Sequence, residues 1–296
     1  MKTKIYFMID DALFFKKEIE KGNYPEHMLY GGVSLEKEGK AKILDYTFKN
    51  ILKLERKSII VTNRTKYVIL AKLLGLKVVL INMNSEHNFD KSEKGFKNRL
   101  LRFYYWLRYS LCSKIICLSE IQLPKLNKLG VKNAIVIPLG VDDELIKKQK
   151  LINEYFVSAG MDKGRNFEFI KNEMKYFPLK ILDGNPFMPY KEYLKILAGA
   201  KAIILNIDIV KLNASDLSGT TTCFEALLLK KPIFINYQLW LKELLKDNYY
   251  VYENGEELRK LLNKNIKFKE RDYEYLTLKY FTQKLMQEIN KTFIKL

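Results

Sequence analysis

The sequence predicts an α/β fold in two halves, and three observations lead there. Short apolar runs rich in Ile and Val alternate with longer segments of helical period. Strands separated by helices join as parallel neighbours through crossovers. The runs are continuous rather than alternating, as expected of strands covered on both faces. Finally, the alternation stops at the charged stretch Asp142–Asn153 and then restarts.

In the first half, strands are expected at Lys4–Ile9, Ala41–Tyr46, Ser58–Thr62, Lys77–Met83, Lys114–Leu118 and Ala134–Pro138. Helical periodicity falls at Met28–Glu38, Lys66–Leu74, Lys94–Leu111 and Glu120–Leu129. In the second half, strands are expected at Tyr155–Ser158, Leu179–Leu182, Lys201–Ile207, Pro232–Asn236 and Tyr249–Tyr252. The helices between and after them are Asn166–Lys175, Tyr190–Leu197, Thr222–Leu229, Trp240–Lys246 and Glu256–Asn263. The tail Arg271–Phe293 is amphipathic with no strand after it, which suits a helix packing back on the first half. The domains expected are therefore 1–142, 143–270 and a returning C-terminal helix, 271–296.

Composition narrows the function classes. Of 296 residues, 48% are hydrophobic and 29% charged, enough for real cores and unlike a disordered chain. No apolar run approaches the ~20 residues of a membrane span. Met1-Lys2-Thr3-Lys4 leads straight into a strand without a small-residue cleavage site, so no signal peptide is expected. Cys112, Cys117 and Cys223 form no CxxC pair, so neither a disulfide framework nor a zinc site is expected. A cytoplasmic setting fits. The net charge is +18, with 29 basic against 16 acidic residues in 1–150 and 23 against 18 in the remainder. Such a basic half suits anionic membranes, nucleic acid or phosphorylated substrates, and equally a solvated lysine-rich surface.

The most informative segment is Ser218-Gly219-Thr220-Thr221-Thr222-Cys223-Phe224-Glu225-Ala226-Leu227, followed by Lys231-Pro232-Ile233. A Gly/Thr loop opening a helix presents free N–H groups and the positive dipole end, which hold phosphate. Glu225, about one turn in, can accept from a ribose hydroxyl, as an acidic residue does in dinucleotide folds. The same residues also read as an ordinary N-cap with a capping-box glutamate. Lys163 and Arg165 offer a point charge and a bidentate fork for a diphosphate; they also read as solvated turn charges. His87 follows a strand at its carboxyl end, where α/β sheets place ligands, and His27 lies in the loop Pro25–Gly32.

The segment Gly219–Leu227 with Lys231-Pro232-Ile233 resembles the nucleotide-binding signature of GT-B glycosyltransferases, in particular the retaining family that includes sucrose synthases and the phosphatidylinositol mannosyltransferases. Four more pieces follow that family's order. Pro25–Gly32, with His27, Gly31 and Gly32, resembles the loop lining the acceptor and donor cleft. Ile115–Glu120 resembles a strand-to-helix step late in the N-terminal domain. Ile137-Pro138-Leu139-Gly140-Val141-Asp142 resembles the interdomain stretch, and Ser158–Arg165 the first C-domain strand with its basic diphosphate loop. The resemblance spans residues 25 to 262.

It implies two Rossmann-like domains facing across a cleft, and transfer of a sugar from a nucleotide-diphosphate sugar to an acceptor hydroxyl with retention. No cofactor and no metal are implied. The acceptor is a glycan, lipid or protein, and His87, Glu225 and Asp216 are the implied catalytic residues. Lys163, Arg165, Ser218, Gly219, Thr220 and Thr221 would hold the donor. Members carry two glutamates seven residues apart; Glu225 matches the second, but the first falls on Leu217, with Asp216 beside it. That departure motivates a catalytically inactive subunit as an alternative.

The stretch Lys94–Lys114 combines Lys94, Lys97, Arg99, Arg102 and Arg108 with Leu100, Leu101, Phe103, Tyr104, Tyr105, Trp106 and Leu107. It suits an anionic membrane surface on the inner face, or ordinary packing of one face. A nucleic-acid-binding protein is supported by charge alone, without a zinc, helix-turn-helix or RRM signature. A nicotinamide dehydrogenase is disfavoured because no GxGxxG follows a strand.

Overall fold

The computed structural model describes residues 3–83, 96–160, 164–208, 219–236, 244–245, 247–264 and 266–293. By contact the chain forms two compact units. The first comprises Met1–Lys21, Glu26–Pro138 and Phe281–Leu296; the second comprises Gly22–Pro25 and Leu139–Tyr280.

The first unit holds β1 (Ile5–Ile9), β2 (Lys42–Asp45), β3 (Ile59–Thr62), β4 (Lys77–Asn82), β5 (Lys114–Cys117) and β6 (Ala134–Val136). They form one six-stranded sheet in the order β2-β1-β3-β4-β5-β6, with every neighbouring pair parallel. Both faces are buried, which explains the continuous apolar runs. Met8, Ile60, Val78, Leu80, Ile115 and Cys117 share one core cluster, while the alternate residues Phe7, Ile59, Val61, Val79 and Ile116 are also buried.

The second unit holds β7 (Tyr155–Ala159), β8 (Leu179–Leu182), β9 (Ala200–Leu205), β10 (Ile233–Asn236) and β11 (Tyr249–Tyr252). Its sheet runs β11-β10-β9-β7-β8, again with parallel neighbours. Phe156, Ala202, Ile204, Phe234 and Tyr252 pack on one face with Ile170, Leu258 and Leu262 from the helices Phe167–Glu173 and Gly255–Leu262. Asn166 and Asn254 start those helices by accepting from the N–H three residues on.

Both sheets share one topology: the first strand lies inside the second, and later strands extend the other way. Chain direction across the sheet therefore reverses between β1 and β3, and again between β7 and β9. Open α/β sheets bind ligands at the carboxyl ends of strands flanking such a reversal.

The helix Leu278–Phe293 ends the described chain. Phe281, Leu285 and Ile289 form its buried stripe, the Phe281 ring meets Tyr30, and Glu288 pairs with Lys114. The returning tail is thus packed on the first unit from Phe281 onward.

Three sequence expectations need correction. The single helix at Met28–Glu38 is instead a 3-10 turn, Glu26–Leu29, and a separate helix, Gly32–Lys37. Tyr30 and Gly31, both at positive φ, break it between them. The strand expected to reach Ile207 stops at Leu205; Ile207 bridges Arg165 in antiparallel fashion instead. The helices Ala12–Lys21, Phe48–Leu52 and Asp143–Lys147 were not foreseen. Ala12–Lys21 fully buries only Ala12, half-buries Phe15 and Ile19 and leaves Leu13 and Phe14 exposed, so its apolar stripe is short and blurred in the sequence. Of the helix expected at Trp240–Lys246, only Leu244 and Leu245 are among the described residues.

Candidate functional site

In the second unit the loops after β7, β9 and β10 are stitched together at the reversal point. The Asp208 N–H donates to the Gly164 carbonyl at 2.8 Å, and the Asn166 N–H to the Asn206 carbonyl at 3.0 Å. The Asn236 side chain holds Ile207 by both backbone groups at 2.8 Å, accepting from its N–H and donating to its carbonyl. This lattice fixes the backbone of Arg165, whose side chain is buried.

Two glycines make room for that guanidinium. A Cβ on Gly160 would strike Nε of Arg165, and one on Gly219 would stand 3.0 Å from its Nη1 and from Ile207 Cδ1. Gly219 adopts the left-handed conformation (φ 83°) and opens the helix Thr220–Leu228. An arginine against the amino end of a helix is an arrangement able to stabilise a phosphate-type anion, by charge, dipole and N–H donors together. Thr220 is buried there and Thr221 half-buried.

Glu225 points into the interior from the same helix. The Tyr190 hydroxyl donates to its Oε1 at 2.8 Å and the Tyr193 hydroxyl to its Oε2 at 2.9 Å. Both phenols come from the helix Tyr190–Ala198 and stack with centroids 5.9 Å apart. Burial pushes the Glu225 carboxyl up to about 7; the tyrosine hydroxyls hold it down and Asp142 adds to the rise. The same burial, with the Glu225 charge, raises both phenols well above their usual range. Burial also pushes the Cys223 thiol up to about 12, so it is no nucleophile at neutral pH.

Lys231 of the signature lies elsewhere. Its buried ammonium donates to the Ile152 carbonyl and to Asn153 Oδ1 at 3.0 Å, and burial lowers its pKa to about 8. It ties the segment before β7 to the start of β10. Gly140 is also explained by packing: a Cβ there would collide with the backbone of Thr277, which Val141 bridges.

The structure thus gathers Arg165, Gly219, Thr220, Thr221 and Glu225 into one unit. Lys163, Asp216, Leu217, Ser218 and His87 lie outside the described residues. His27, Gly31 and Gly32 sit in the first unit. Gly31 lies against Thr282 of the C-terminal helix and Gly32 against the Phe7 ring, so neither could carry a Cβ. His27 is buried, and burial lowers its pKa to about 4, leaving the ring neutral near pH 7.

Sequence reasoning missed Tyr190, Tyr193 and Asn236. Only the i, i+3 tyrosines after Pro189 left a visible signal. It also missed a cavity of about 420 Å³ in the first unit, at the carboxyl ends of β1, β3 and β4. Asn63, Arg64, Lys66, Asn82 and Arg108 are among its lining. Among the described residues, no cluster of three His, Cys, Asp or Glu could hold a metal ion, and no helix is long and apolar enough to cross a membrane.

The fold is that of the GT-B glycosyltransferases: two parallel sheets of Rossmann-like type. The chain is similar to a component of the GtfA/B complex, with a TM-score of 0.56, 12% identity, and coverage of 84% of this chain and 60% of that one. It is similar to TarM with a TM-score of 0.55, 15% identity, and coverage of 80% and 55%. It therefore spans under two thirds of either glycosyltransferase chain. The N-terminal domain of Candida albicans trehalose-6-phosphate phosphatase matches over 99% of this chain and 98% of its own, at a TM-score of 0.58 and 10% identity. At such low identities these likenesses show the fold alone. No protein-family description and no curated protein matches the sequence.

Proposed function

We propose that this chain transfers a sugar from a nucleotide-diphosphate sugar to an acceptor hydroxyl, with retention and without a metal. One observation carries the reading: the buried Arg165 guanidinium lies against Gly219 at the amino end of the helix that bears Glu225. As the glycosidic bond breaks, charge develops on the departing diphosphate. A preorganised cation and the first-turn N–H groups of Thr220 and Thr221 would stabilise it without reorganisation. Lys163 and Ser218 would join them, Glu225 would hold the ribose, and Asp216 and His87 would serve the sugar. Leu217, where the resembled family has a glutamate, would make the donor pocket less polar and alter sugar selectivity. The acceptor is a glycan, lipid or protein.

A second reading, a subunit that binds nucleotide without turnover, is favoured by the state of Glu225. Both of its oxygens already accept from tyrosines. A carboxylate oxygen has a second lone pair for a ribose hydroxyl, but the buried phenols would have to make way.

The helix Phe96–Leu111 exposes Leu100, Leu101, Phe103 and Tyr104 beside Arg99 and Arg102. It is proposed to contact an anionic membrane surface on the cytoplasmic side. A thermal-shift panel of UDP, GDP, ADP and CMP sugars tests the donor reading, since a ligand bound only by the folded chain raises its melting temperature. A rise with one base class supports it; no rise with any refutes it.

A further inference from the structure

We propose that the cavity of the first unit is a phosphate-binding pocket for a phosphate ester. Calling that ester the acceptor rests on the transfer reading; the pocket itself does not. The cavity lies at the reversal point of the sheet. Asp10 follows β1, Asn63, Arg64 and Lys66 follow β3, and Asn82 ends β4.

Arg108 carries the inference. Arg108 is only 9% exposed yet lines the cavity. Nε donates to the Thr65 carbonyl at 2.6 Å, and the group lies over the Tyr104 and Tyr105 rings, 4.9 and 5.7 Å from their centroids. Among the described residues no carboxylate comes within ion-pair distance of it. A buried cation so placed is costly unless an anion completes it. The one acid of the lining, Asp10, is engaged by Arg64 at 2.9 Å.

Charge and geometry select the ligand. Arg64, Lys66 and Arg108 against Asp10 leave the lining with a surplus of two positive charges, which matches a phosphate monoester near neutral pH. A guanidinium fork meets phosphate oxygens in pairs. Beside it, Asn63 Oδ1 is buried and accepts no hydrogen bond from the described residues, while Nδ2 donates to the Tyr30 hydroxyl at 3.1 Å. That open acceptor suits a hydroxyl on the ester's organic part.

Titration calorimetry on the full chain, with glycerol 3-phosphate, glycerate and glycerol as probes, tests this. Saturable binding of glycerol 3-phosphate is expected, with glycerate at least ten-fold weaker and glycerol not bound. Arg108→Gln should weaken the phosphate ester about ten-fold or more, the loss of a charged hydrogen bond. Should that variant fail to fold, the exposed Arg64→Ala and Lys66→Ala replace it, each weakening binding several-fold. Vesicles of phosphatidic acid against phosphatidylcholine separate a lipid headgroup from a soluble ester: Arg108-dependent binding to the former identifies a lipid source. UDP and GDP titrated in parallel should be unaffected by Arg108→Gln, so a failed pocket and a failed donor site are told apart. The pocket is overturned if no Arg108-dependent binding of either phosphate source is seen, or if glycerate binds equally well.

Discussion

The Tyr190 hydroxyl donates to Oε1 of Glu225 at 2.8 Å, between residues only 5% and 3% exposed. A carboxyl so buried is held near a pKa of about 7 in the folded chain, against 4.5 as its ordinary value. The folded state therefore keeps a proton that the unfolded state releases. Stability from this group is fully present below about pH 4.5 and falls as pH rises toward and through 7, by about 3 kcal/mol in all. Glu225→Gln should remove that dependence. Urea unfolding at pH 4.5 and pH 8 checks it: the variant should gain on the parent as pH rises, and parallel changes in both would contradict the shift.

Arg165→Ala should weaken binding of the nucleoside diphosphate by about 1.5–3 kcal/mol, the range for a charged hydrogen bond. Arg165→Lys should recover part of this, since a point charge replaces a fork. Isothermal titration reads both. Unchanged affinity in Arg165→Ala would remove this residue from the donor site.

Gly219 and Gly39 separate strain from function. Both have positive φ, but nothing lies within 4 Å of a Cβ at Gly39, whereas one at Gly219 would press on Arg165. Each Gly→Ala change should cost about 1–2 kcal/mol for the left-handed backbone. Only Gly219→Ala should also weaken nucleotide binding, because Arg165 must move. Equal affinities in the two variants, measured by calorimetry, would argue against the Arg165–Gly219 contact as part of the site.

The signature lysine should behave as a structural residue. Lys231→Ala leaves the Ile152 carbonyl and Asn153 short of a donor, which should cost about 1–3 kcal/mol with little change in nucleotide affinity once folded. Chemical denaturation and calorimetry together test this. A lost affinity at unchanged stability would place Lys231 in the site instead.

The parallel sheets were legible because most central strands are buried on both faces and read as apolar runs, Ile5–Ile9 being one example. Ala12–Lys21 was not, because its short stripe of Ala12, Phe15 and Ile19 is blurred by the exposed Leu13 and Phe14. Gly219 and Glu225 were legible through local spacing, one at the turn and one on the helix it opens. The tyrosines that hold Glu225 were not: Tyr190 and Tyr193 come from a helix more than thirty positions earlier. Arg108 illustrates a different limit. Within the sequence it is one cation on a basic aromatic helix, and only the fold brings it beside Asn63 and Arg64.

Nuclear magnetic resonance of reaction products, with the donor that best stabilises the chain and a range of acceptors, tests the proposed function most directly. A new glycosidic linkage with the donor's anomeric configuration, lost in Glu225→Ala while that variant stays folded, is the predicted result. An inverted product would contradict retention, and neither transfer nor donor hydrolysis with any donor would contradict the enzyme and leave a nucleotide-binding subunit.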